Sequence, residues 1–171
     1  LLRTQKWLER FGGPEIYRDT RAQELVEAMW SHPQSPWRDR INMLGGRRGM
    51  VTQAAWIRAL KSSYMKSWSE RAGQPGGLFG APLGEDRDAL ALPWGRHEQA
   101  AFLIFVWDAL RQKVVEYDGQ WARALRNDEA RDDDVDPAFA GPHTYLNTDQ
   151  GVRGVLQVTN DMFYRLGQKH D

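Results

Sequence analysis

EQAAFLIFVWDALRQKVVE, residues 98–116, is the stretch whose reading decides the fold of this chain. Ala100 to Trp107 is an unbroken apolar run, and Asp108, Arg111 and Lys113 come only after it. A short apolar run suits a buried strand as well as a buried helix. The length of the segment decides for helix, together with Leu103, Trp107, Leu110 and Val114 recurring on one face. A helix that is apolar all round belongs inside a core with other helices wrapped about it, so Phe105→Asp is expected to unfold the domain. The run is too short to cross a bilayer, which takes about 18–20 apolar residues. The fold expected is therefore mainly α, an irregular helical bundle around a central apolar helix at 98–116, with a long glycine-rich loop at 71–95.

Upstream, residues 1–11 read as a helix end carrying Trp7, Leu8 and Phe11, stopped by Gly12-Gly13-Pro14. Thr20-Arg21-Ala22-Gln23 has the form of a capping box opening a helix with Ala22, Leu25, Val26, Met29 and Trp30 on its stripe, closed by Pro33 and Pro36. Gly45-Gly46-Arg47-Arg48-Gly49 reads as a loop tip, solvated or in contact with phosphate. Met50-Val51 suits a short extended piece. Thr52 caps a helix that turns Trp56, Ile57, Leu60, Tyr64 and Trp68 inward and Arg58, Lys61 and Lys66 outward. Glycines and prolines crowd the 71–95 stretch, which is expected to be a surface loop.

Downstream, a short helical piece reaches Leu125, and the acidic run 127–137 follows. That run lacks the glycine and terminal Glu of a calcium loop and reads as solvated. Asn147 or Thr148 caps a last helix with Val152, Val155, Leu156, Thr159, Met162, Phe163 and Leu166 as its stripe and Gly167 just past its end. Gly151 and Gly154 in its first turns suit either an anion site or close packing against a neighbour.

The 171 residues suffice for one core, and the chain is read as a single helical domain over 1–171, the C-terminal part of a longer protein. Without cysteine there are no disulfides or thiolate ligands, which fits a reducing, cytoplasmic setting. His32, His97, His143 and His170 are scattered, without the spacing of helical metal ligands, so no metal or other cofactor is expected. Net charge is zero but uneven: residues 1–71 carry 13 Lys/Arg and 7 Asp/Glu, residues 72–171 carry 10 and 16. A basic half can attract a phosphate backbone or dock on its own acidic half.

Three stretches in order resemble the C-terminal portion of DGQHR-domain proteins, the DndB-like group. Ser35-Pro36-Trp37-Arg38-Asp39-Arg40-Ile41 is similar to the family's "SP…RI" segment, with an amphipathic helix before it and a short helix at 51–60 after it. The aromatic-rich run 102–110 leads to Trp121, and Tyr145 to Val155 is similar to the family's "L(T)KTxGxxAL" helix opening. The three together span about residues 20–165. The family's Asp-Gly-Gln-His-Arg signature lies upstream of this portion. Asp118-Gly119-Gln120 spells its first letters by coincidence and continues as Trp121-Ala122-Arg123.

The resemblance implies a non-catalytic helical module of a protein linked to DNA modification, phage defence or its transcriptional regulation. Contacts with DNA backbone would come through Arg38, Arg40, Arg47, Arg48 and Arg153. Other partners are the N-terminal domain of the same protein and a second copy, with no membrane. An alternative is a protein-interaction or dimerisation module without nucleic-acid contact. A third is an enzyme pairing Asp118, Glu116 or Asp108 with His97 or His143 as acid and base.

Overall fold

The computed structural model describes residues 14–43, 51–66, 74–80, 91–116, 139 and 144–169. Four helices and one minimal sheet make up the described residues, and the chain is mainly α. Helix α1, Pro14–Ser31, opens with proline, whose fixed φ suits a first helical position, and buries Tyr17, Ala22, Leu25, Val26 and Met29. The capping box expected at Thr20 is not a helix start. Thr20 to Gln23 lie mid-helix, because Tyr17 and Arg21 are buried one turn apart and the helix runs through both. It ends at Ser31, just ahead of Pro33.

A run of turns over 32–40 then carries Trp37 into the core. Ser35 Oγ accepts the Trp37 N–H at 3.1 Å, and Asp39, at φ 58°, donates its N–H back to Trp30 O at 3.1 Å. Asp is among the few non-glycine residues that adopt this left-handed conformation readily. Strand β1, Ile41–Asn42, pairs in parallel with β2, Val51–Thr52, in the register Ile41 to Val51. Helix α2, Gln53–Ser62, follows at once, and the Thr52 hydroxyl accepts the Ala55 N–H as expected of its cap.

Helix α3, Arg96–Glu116, contains the 98–116 stretch. It buries Gln99, Ala100, Leu103, Val106 and Trp107, with Leu110 and Val114 partly covered. The expected all-round burial is not found, since Phe105 is 67% exposed and Ala101 lies on the same outer face. The helix packs along one side against α1, which leaves the opposite side to solvent whatever residues it carries. Helix α2 holds the middle position, packed against both α1 and the last helix, α4, Asp149–Gln168.

Thr148 provides the cap of α4: its Oγ accepts the Gly151 N–H at 3.0 Å and donates to Tyr145 O at 2.7 Å. Gly167 is not the terminator expected of it, for the helix runs on to Gln168 and is capped at Lys169. Nor is the glycine-rich stretch wholly superficial, because Gly76, Gly77, Leu78 and Phe79 are buried.

Aromatic rings fill the core in two groups. Trp37 meets Trp56, Trp107 and Phe139 edge-on at 5.0, 5.1 and 5.2 Å between centroids. Phe102 lies between Tyr64, Phe79, Trp94 and Phe163, with Phe163 at 5.0 Å. Perpendicular ring pairs of this kind add about 0.5–1.5 kcal/mol each beyond the area they bury. Among the described residues no helix is long and apolar enough to cross a membrane.

Candidate functional site

Arg38 and Arg40 share the 32–40 turns, and the structure gives them different surroundings. Arg38 extends to solvent with its Nε 3.7 Å from the carboxylate of Asp39. The Arg40 guanidinium lies 5.5 Å from the centre of the Phe139 ring, a cation–π contact at the rim of the tryptophan group. Arg153 is exposed on a separate element, in the second turn of α4. Arg47 and Arg48 lie outside the described residues. The turn and α4 thus hold the arginines that can be located on different elements rather than in one row.

The acid–base pairs separate in the same way. His97 and Asp108 stand eleven residues apart on α3, about 16 Å at 1.5 Å per residue, and His97 and Glu116 about 28 Å apart. Asp108 accepts a hydrogen bond from Gln112 Nε2 at 2.6 Å, and Glu116 one from Lys113 Nζ at 2.6 Å. Asp118 and His143 lie outside the described residues. No group of three or more His, Cys, Asp or Glu able to hold a metal occurs among the described residues.

Two buried polar links, neither anticipated from the sequence, fix the helices instead. Arg21, 4% exposed, donates from Nη1 to Gln99 Oε1 at 2.9 Å and stacks over Tyr17, joining α1 to α3. Its Nε lies 3.3 Å from Glu24, which also pairs with Arg96 at 3.6 Å. Asn160, fully buried on α4, accepts the Leu78 N–H at 3.0 Å and donates to Gly76 O at 2.8 Å. Beside it, Asp161 accepts from Lys66 Nζ and from Gln157. Partial burial pushes the Asp161 carboxyl up, but the hydrogen bonds from Gln157, Asn160 and Lys66 outweigh it and hold the group below the ordinary carboxylate value. Burial pushes the Tyr64 hydroxyl up to about 12 despite its bond to Thr159 at 2.8 Å, so it stays neutral. The sequence signal for such groups is a polar residue inside an apolar stripe, and Asn160 between Leu156 and Tyr164 is one.

Among the mostly polar residues that α3 and α4 leave uncovered, a few are large and apolar. On α4, Val158, Met162 and Leu166 recur every four residues and are 65%, 47% and 44% exposed. Gly154 begins the same row, with no atom within 4 Å of where a Cβ would stand. Across the Phe102–Phe163 contact, Phe105 stands one turn along α3 from Phe102. Large apolar side chains exposed together mark contact surfaces more than catalytic ones. Met162 and Leu166, expected in the core stripe, lie instead on this outer face, and Asn160 and Tyr164 take the buried positions. No family model, curated protein or solved structure matches the chain.

Proposed function

We propose that this chain is a non-catalytic helical module that serves a DGQHR-type protein by making protein contacts. The observation that carries the reading is the exposed row Val158, Met162 and Leu166, with Phe105 on the neighbouring helix. A row of exposed apolar side chains at four-residue spacing is the kind of surface that a covering protein would bury. The three stretches similar to DGQHR-domain proteins support a parent linked to DNA modification, phage defence or its transcriptional regulation, in the cytoplasm. A photoreactive residue placed at Phe105 or Met162 in cells tests the reading. A discrete protein adduct is expected, and nucleic-acid adducts or none would overturn it.

A second reading, backbone contact with DNA, has the exposure of Arg38 and Arg153 in its favour. Contacts of that kind weaken steeply with salt. Titration with duplex DNA at two salt concentrations separates the readings: binding at low salt that falls at high salt supports DNA contact, and absence of binding at low salt removes it.

A further inference from the structure

We propose that the outer row of α4 docks an acidic amphipathic helix of another protein. The inference rests on the reading of the chain as a protein-contact module and names the chemistry of the partner. Helix α4 turns Leu156, Asn160 and Tyr164 inward, and Val158, Met162 and Leu166 come out on the other side. Residues four apart on a helix form a ridge, and such ridges fit the grooves of another helix, with the axes crossing at about 50°. From Val158 to Leu166 the ridge is about 12 Å long at 1.5 Å per residue. One turn before Val158 it drops to the backbone at Gly154, where nothing stands within 4 Å of a Cβ position, so a partner side chain has room there.

The charges on this face select the occupant. Arg165 stands seven residues after Val158 and Lys169 seven after Met162, two turns on in each case. Both cations are exposed and share the side of the row, at its C-terminal end. The carboxylate beside the row, Asp161, already accepts hydrogen bonds from Lys66 and Gln157. Asp149 and Arg153, exposed at the start of the helix and off the row, carry opposite signs. The row is therefore apolar with a basic end, and its complement is apolar with an acidic end. A second copy laying α4 on α4 would bring the same two cations and a carboxylate that Lys66 holds. A phosphate backbone would meet Arg165 and Lys169 but leave Val158, Met162 and Leu166 in water. A helix with apolar side chains every three or four residues and Asp or Glu beside them covers both. Three apolar side chains are a small part of the about 800 Å² per partner that a lasting interface buries, so a Kd of about 10 µM is expected.

Photocrosslinking from Met162 of the full chain in cells, with the cross-linked peptide sequenced by mass spectrometry, tests this. The peptide expected comes from another protein and carries apolar residues at three- and four-residue spacing with Asp or Glu between them. Made synthetically, it should bind the wild-type chain with a Kd of about 10 µM. Arg165→Glu combined with Lys169→Glu should weaken binding by about tenfold, and exchanging the peptide's carboxylates for Lys should restore it. Arg165→Lys with Lys169→Arg should bind as wild type does. Cations in a last turn also favour the helix itself, a role that shows in melting and gives no such restoration. A cross-linked peptide from this chain, one without the acidic helical pattern, or binding that ignores the charge reversal overturns the acidic helix and leaves the protein-contact reading standing. Nucleic-acid adducts or none overturn both.

Discussion

The carboxamide of Asn160 lies against the backbone at Leu78, accepting its N–H at 3.0 Å, while its own Nδ2 donates to Gly76 O two residues earlier. One side chain on α4 thus behaves like a neighbouring strand for three residues of the glycine-rich stretch. Both atoms of the amide are used, and both backbone groups are buried with it. A buried unpaired N–H or C=O costs about 1–3 kcal/mol, so this clasp accounts for why 76–79 lie in the core and not on the surface.

Asn160→Leu, which keeps the volume but pairs neither group, should lower stability by about 2–6 kcal/mol, two orphaned groups at about 1–3 kcal/mol each. Urea unfolding measures it. A loss under about 0.5 kcal/mol, the size of an ordinary surface change, would mean the segment finds other partners.

Gly77 and Gly151 have no room for a Cβ, whereas Gly154 has open space around it. A Cβ on Gly77 would stand 2.5 Å from Tyr64 O and 2.7 Å from Lys66 N, both backbone atoms. On Gly151 it would collide with the Tyr145 carbonyl that receives the Thr148 hydroxyl. Gly154 has open space. Gly77→Ala and Gly151→Ala should each lower the melting temperature. Gly154→Ala should raise stability by about 0.5–1 kcal/mol, the helix-propensity difference between the two residues. Equal effects at 151 and 154 would contradict this placement.

Phe105→Asp should leave the fold intact, within about 0.5 kcal/mol of wild type, because the side chain is two-thirds exposed. Leu103→Ala, two residues away and fully buried, should cost about 2–5 kcal/mol. Paired thermal melts decide it, and an unfolded Phe105→Asp protein would restore the all-round burial of the 98–116 stretch.

Asp161 gives the acid side of the stability profile a sign. Its folded pKa lies below the ordinary value of 3.8, so ionisation is favoured by folding. The resulting stabilisation is present above that value and is lost as pH falls through the folded pKa. Asp161→Asn should remove the part of the acid-side slope that wild type shows below about pH 4, where an unperturbed Asp titrates. Denaturation midpoints taken across that window read it. An unchanged slope in Asp161→Asn would show that Lys66 and Gln157 do not favour the charged form.

The 98–116 helix, the Thr52 cap and the start of α4 were legible because each rests on local rules: apolar period, a hydroxyl accepting a nearby N–H, and length. The capping box at Thr20 failed on the same local rules, since the pattern Thr-x-x-Gln also occurs within a helix whose true start lies one and a half turns earlier. Of the candidate site, the sequence supplied Phe105, Met162 and Leu166 as residues but placed all three inside. Periodicity tells which residues share a face and not which face is covered.

What the sequence by itself determined is the mainly helical character and the starts of α2 and α4, where Thr52 and Thr148 cap, because these depend on neighbours within a few residues. Only the tertiary structure decided that α3 packs along one side, that Arg21 reaches Gln99 across 78 positions, and that Asn160 closes on Gly76 and Leu78 across 84 and 82. Each of these depends on which surfaces meet. The physical reason is that a buried polar side chain such as Arg21 or Asn160 needs a partner, and where that partner lies far along the chain no local pattern encodes its arrival.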